Sequence, residues 1–283
     1  MADTHGQVRF LRRSDKWTTE KPFFMYSQPD RDEDPENVTN LEFQTQLLDI
    51  TDIRGQEDDF KLEECGFKVV HHPPALVDFT TLEHIREYQK DVQSALATFF
   101  DAEHILVWDF KQRKTHRENS VWNLNNQLEI DTTIKEAHND YTFVSGPIMI
   151  KNQLIKNDLE RYLRPGYRFR MVNFWRSLLP VAEDQPLTLC DFRSIEPADV
   201  VACDRIRPDR SGESFYLHHN PNQKWYYLNS MTRDEAWVFV TYDSAAGNQA
   251  RFCPHSSFLS PEKDISLTTR YSVETRAIVI TKL

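Results

Sequence analysis

The stretch "YRFRMVNFWRSLLPVAEDQPLTLCDF", residues 167–192, decides the fold. Its two ends, 167–178 and 186–192, are rich in β-branched and aromatic side chains, and Pro180 and Asp184 break the chain between them. The same rhythm continues in "VVACD" (200–204), "SFYLHH" (214–219), "KWYYLN" (224–229), "EAWVFVTYD" (235–243), "ARFCPH" (250–255) and "RYSVETRAIVIT" (270–281). Eight short strands with turn residues between them, and no alternation with helices, point to a double-stranded β-helix, or jelly roll.

Upstream the pattern changes. Residues 80–104 read as a helix, because Leu82, Ile85, Tyr88, Val92, Leu96 and Phe99 recur at three- and four-residue steps. Thr80 and Glu83 have the form of a capping box at its start. A second amphipathic face, Leu154, Ile155, Leu159, Tyr162 and Leu163, predicts a helix over 150–166, stopped by Pro165-Gly166. Residues 65–74 and 105–110 read as strands, and 27–40 as an acidic loop. The fold class is therefore mostly β with flanking helices. One domain is expected over 1–283, with helical and strand support in 1–134 and the jelly-roll core in 135–283.

Bulk composition narrows the function. The net charge is −10 and no basic tract stands out, so nucleic acid and anionic membrane are poor partners. The N-terminus has no apolar core of a secretory signal, and no apolar run is long enough to span a bilayer. Cys65, Cys190, Cys203 and Cys253 lie far apart, which suits reduced thiols in a cytoplasmic protein better than a disulfide frame. A homodimer is the default assembly.

Chemistry concentrates at "KEAHNDYTFVSG", residues 135–146. On an extended strand, side chains two apart point the same way, so His138 and Asp140 can reach one metal together. Spacing alone does not decide this, since His116 and Glu118 stand two apart as well; those lie in a dense charge run typical of a solvated loop. Two histidines and one carboxylate on one face of a metal suit ferrous iron. His255, after a strand-like run and fixed by Pro254, is the best third ligand, with His218 and His219 as competitors beside a turn. On the next strand Arg270 and Ser272 face one side and can bind a carboxylate; Arg276, on the same face, could replace Arg270. Asn173 and Arg176 are weaker candidates for co-substrate contact, and Trp122, Phe143, Phe169 and Trp175 for an apolar wall.

The segments "HND-YT", "MVNFWRSL", "PLTLCDFRSIEPADVV", "NPNQKWYYLNSMTRDEAWVFVTYDS", "RFCPHSSF" and "RYSVETRAIVI" follow in order across residues 138–280. In them the chain resembles a family of microbial hydroxylase/desaturase-like proteins. That family includes relatives of the cephamycin 7α-hydroxylase accessory chain and a fungal meroterpenoid endoperoxidase. The resemblance implies a non-haem Fe(II), 2-oxoglutarate-dependent oxygenase that uses O2. His138, Asp140 and His255 would be the iron ligands by match, and Arg270 and Ser272 would hold the 2-oxoglutarate tail. The expected substrate is a mid-sized, mostly apolar natural product, undergoing hydroxylation, desaturation or endoperoxidation. Two alternatives stand beside it: a zinc hydrolase on the same ligands, and a non-catalytic, cupin-like accessory or binding subunit.

Overall fold

The computed structural model describes residues 4–26, 38–115, 126–261 and 269–283. Two sheets face each other. The first has nine strands, in the order Thr4–Leu11, Phe43–Asp52, Trp225–Tyr227, Leu187–Cys190, His255–Ser257, His138–Asn139, Arg210–Leu217, Val200–Arg207 and Phe23–Met25. The second has six: Phe67–His71, Glu235–Asp243, Tyr167–Ser177, Tyr271–Lys282, His104–Lys114 and Ile130–Thr132. The mostly β jelly roll expected from the sequence is the observed architecture.

The first sheet curls back on itself. Arg9 N donates to Lys135 O at 3.0 Å and Ala137 N to Arg9 O at 2.8 Å, so Thr4–Leu11 meets the segment leading into His138. Val8, Phe10, Ile50, Ala137, Leu217 and Trp225 fill the inside of this curl. The first 134 residues therefore supply strands to both sheets rather than only flanking a later core. Thr4–Leu11 and Phe43–Asp52 escape a sequence reading because their sheet face is interleaved with charged and polar residues.

Between the sheets lie Leu187 and Leu189 from the first, Cys253 just before its strand His255–Ser257, and Phe67, Trp175, Trp237 and Phe239 from the second. The opposite face of the second sheet is covered by the helix Leu82–Phe100. That helix buries Ile85, Tyr88, Val92, Leu96 and Phe100, each worth roughly 2 kcal/mol of apolar transfer. The stripe ends on Phe100 rather than Phe99, because it continues in steps of four from Val92. Its cap is Thr81, not Thr80: the Thr81 hydroxyl accepts from His84 N at 3.2 Å. The second helix runs over Ser145–Lys156, followed by a single turn at Glu160–Tyr162, not over 150–166. Asp158 adopts φ 56° and interrupts it. The run 250–255 is not a strand; pairing begins at His255.

Among the described residues no helix is long and apolar enough to cross a membrane. All four cysteines are free and buried.

Strand alternation divides Tyr167–Ser177 into two faces. Even-numbered residues turn to the helix, where Arg176 is fully buried. Its guanidinium donates to His72 O at 2.8 Å and Arg233 O at 3.2 Å, and to His72 Nδ1 at 2.8 Å. His72 Nε2 then meets Asp91 on the helix at 3.3 Å. This chain of contacts ties the helix to the sheet. Replacing Arg176 with Leu orphans buried carbonyls and should cost roughly 3 kcal/mol, read as a lower urea midpoint. Burial also holds His72 below its ordinary value. The denatured chain takes up a proton below about pH 6.5 that the native chain refuses, so the associated stability is present above that pH and lost below it. Urea titrations at pH 7 and pH 5.5 should show wild type losing more stability on acidification than His72→Gln.

Candidate metal centre

His138 and His255 stand opposite each other on adjacent antiparallel strands, with ring centroids 4.4 Å apart. Asp140 follows on the bend just past His138–Asn139, and its Oδ1 is 3.8 Å from His138 Nε2. Ligand-capable atoms of the three residues all lie within 4.8 Å of one another. Between the two ligands of the first segment, Asn139 donates to Thr241 O on the other sheet at 2.9 Å and to Tyr141 O at 2.7 Å. The backbone that carries them is thus stapled to both sides.

Both imidazoles are fixed in one tautomer. His138 Nδ1 lies 2.8 Å from Glu136 O, and His255 Nδ1 lies 3.1 Å from Cys253 O. A carbonyl only accepts, so each Nδ1 carries the proton and each Nε2 keeps its lone pair. Burial, then the neighbouring His255, holds His138 down at about 3, so it is neutral at physiological pH. Burial opposes ionisation of Asp140, yet Arg276 and the two imidazoles hold its carboxyl well below the usual range.

Arg276 is the hub of the charges here. It donates from Nε to Asp140 Oδ2 at 3.0 Å, from Nη1 to Asp109 at 2.5 Å and from Nη2 to Glu274 at 2.7 Å. Three carboxylates thus surround one guanidinium. Two imidazoles and one carboxylate with ligand atoms this close to one another fit a divalent cation of the ferrous type.

At the far end of the same site Arg270 is buried against Trp175, its guanidinium carbon 5.2 Å from the ring centroid. Nε donates to Ser272 Oγ at 3.2 Å and Nη1 to Gln185 O at 3.0 Å, and no carboxylate of the described residues pairs with it. Gln185 holds φ 44°, a strained backbone whose carbonyl is aimed at that arginine. Burial, then the like charge of Arg113, pulls Arg270 down to about 9. A narrow cavity of about 20 Å³ connects the two ends, lined by Arg113, His138, Trp175, His255, Arg270 and Glu274 among others.

The structure therefore brings together His138, Asp140, His255, Arg270 and Ser272. Arg276 lines the cavity, but its donors are taken by three protein carboxylates. Asn173 turns inward and donates to Asp140 Oδ2 at 2.7 Å rather than to the open space. Arg176 is not part of the group, because three residues from Asn173 it must face the other side of the strand. His218 is committed to Leu11 O at 2.8 Å, and His219 packs edge-on to Phe10. His116 and Trp122 lie outside the described residues. Of the other aromatics only Trp175 lines the cavity; Phe143 is exposed and Phe169 packs near the second helix. Asp109 and Arg113 were missed. Glu274, between the two arginines in the 270, 272, 274, 276 series, was legible as a structural partner for one of them, and it pairs with Arg276.

Several known proteins share this framework. The hydroxylase/desaturase efuI of Hormonema carpetanum is 27% identical, over 85% of each chain. The alpha-ketoglutarate-dependent dioxygenase phiK of a fungal species is also 27% identical, over 91% of this chain and 95% of that one. The solved structure of the iron and alpha-ketoglutarate-dependent endoperoxidase NvfI superposes with a TM-score of 0.79 at 23% identity, covering 99% of both chains, and so shares the fold. Residues 8–280 match the family described as the oxidoreductase/YMDC permease-like domain. With two facing sheets, a His-Asp-His cluster and nearly its whole length inside that match, the chain belongs to this oxidoreductase family.

Proposed function

We propose that the chain is a non-haem Fe(II)/2-oxoglutarate-dependent dioxygenase acting on a mid-sized, mostly apolar secondary metabolite. The observation that carries this reading is one cavity with a His-Asp-His cluster at one end and, at the other, a buried arginine that pairs with no carboxylate among the described residues. The names of the relatives, a hydroxylase/desaturase and an alpha-ketoglutarate-dependent dioxygenase, support the same chemistry.

His138, Asp140 and His255 would hold the iron. Bound there, ferrous iron supplies the oxygen activation that couples decarboxylation of 2-oxoglutarate to succinate and CO2 with oxidation of the substrate. His138 arrives neutral, so it sheds no proton to become a ligand. Arg270 and Ser272 receive the distal carboxylate of 2-oxoglutarate. Arg270 gains a directly bonded carboxylate, which no described residue gives it, while Arg113 adds a second positive charge at that end. Arg276 is already occupied by protein carboxylates, which leaves Arg270 as the anchor. Trp175, Ile134 and Leu187 wall the passage and keep water from the reacting groups. Hydroxylation, desaturation and endoperoxidation differ in where the substrate radical is delivered, which the pose of the substrate decides.

A zinc hydrolase on the same ligands would need a free carboxylate as base. Among the described residues the acid lining this cavity is Glu274, and it is tied to Arg276.

Under anaerobic conditions Fe(II) plus 2-oxoglutarate should give a visible charge-transfer band in wild type. Asp140→Ala should lose both that band and succinate formation; an undiminished band in this variant would sink the proposal. Arg270→Leu should keep iron binding but raise the KM for 2-oxoglutarate roughly 100-fold, about 3 kcal/mol of charge-assisted hydrogen bonding. Steady-state kinetics with varied co-substrate reads this directly.

A further inference from the structure

We infer that Arg276 and Asn173 are positioning residues that make Asp140 a one-oxygen ligand, with Oδ1 turned to the histidines and Oδ2 held away. This rests on the metal-centre reading above and goes beyond it, because it assigns two residues that would not touch the metal.

The register of the second sheet sets it up. Asp109, Arg276 and Asn173 lie on one rung across three neighbouring strands. From that rung Arg276 Nε and Asn173 Nδ2 both donate to Asp140 Oδ2, at 3.0 and 2.7 Å. Among the described residues Oδ1 receives only the longer 3.3 Å contact from Arg276 Nη2, and it is the oxygen facing His138 Nε2. The two carboxylate oxygens are therefore not equivalent: one is saturated by protein donors and the other is presented.

The clamp cannot follow Asp140 if that side chain turns. Asp109 and Glu274 fix the guanidinium from two other sides. A bulge in the pairing next to Arg276, where Ala277 shifts partner to Val107, re-aims this part of the strand. Asp140 is also held through its backbone, since Ser214 Oγ donates to Asp140 O at 3.0 Å. Asn173 is fully buried, and its amide oxygen has no partner among the described residues. A buried amide with half its hydrogen-bonding capacity unused is kept for the bond it does make, the one to Asp140.

The chemical consequence concerns coordination number. A carboxylate free at both oxygens can close on a metal with two bonds and take up a position that an oxygenase needs open for co-substrate and O2. Holding Oδ2 reserves that position and orients the remaining oxygen, as outer hydrogen bonds do for metal ligands in general.

The test is anaerobic titration of the metal-free full-length protein with Co(II), read by visible d–d absorption, beside circular-dichroism melting of the same samples. Asn173→Ala and Arg276→Lys should weaken Co(II) binding by about 10- to 100-fold and alter the absorption envelope, with melting of the metal-free Asn173→Ala variant near that of wild type. Lysine keeps the charge but not the fork, so affinity retained in Arg276→Lys and lost in Asn173→Ala would overturn the role of the Arg276 fork. Wild-type affinity and spectrum in both variants, or a lower melting temperature with unchanged Co(II) binding, would overturn the whole inference. If Arg276→Lys does not fold, Asn173→Ala decides alone. Wild type that takes up no Co(II) would instead bring down the metal-centre reading itself.

Discussion

One guanidinium buried among three carboxylates is the constraint around which the molecule is arranged. Burying charge is expensive unless each group is paired and hydrogen-bonded, and Arg276 meets that condition only through contacts from three places in the chain. Asp109 and Glu274 come from its own sheet, and Asp140 from the facing one. The sheets can hold this register only if Tyr271–Lys282 sits between Tyr167–Ser177 and His104–Lys114, as it does. The position of the histidines follows, because His138 precedes Asp140 by two residues and His255 pairs with His138 across one bridge. Fold and site are thus specified by the same contacts.

Much of this was legible in the sequence, and the reasons are local ones. Strand segments with β-branched and aromatic content were readable because a sheet buried on both faces needs apolar residues at nearly every position, as in Leu187–Cys190 and Glu235–Asp243. The pairing of His138 with Asp140 was readable because a two-residue period needs no knowledge of the rest of the chain. Arg270 and Ser272 share that advantage. Arg176 shows the same rule neglected: three residues from Asn173 on one strand, it cannot face the same side.

What stayed hidden depended on partners distant in sequence. Nothing near Arg276 says that Asp109 will lie beside it, since that neighbour is fixed by strand order. Whether an inward arginine meets an external carboxylate or an internal one depends on that neighbour, and for that reason the sequence kept Arg276 as an alternative to Arg270. Thr4–Leu11 was illegible for a different cause. Its outward residues are polar and charged, its ladder partner Phe43–Asp52 is equally mixed, and its contact with residues 135–137 comes from the curl of the first sheet.

The position of Tyr271–Lys282 has a bearing on how the second sheet assembles. This strand lies in the middle of its sheet, yet it follows in sequence both strands it joins. Until it is seated, Tyr167–Ser177 and His104–Lys114 each present an open edge, and Asp109 and Asp140 lie without the guanidinium that pairs them. Closing the sheet therefore requires contacts far apart in sequence, an arrangement that folds more slowly than one built from local pairings.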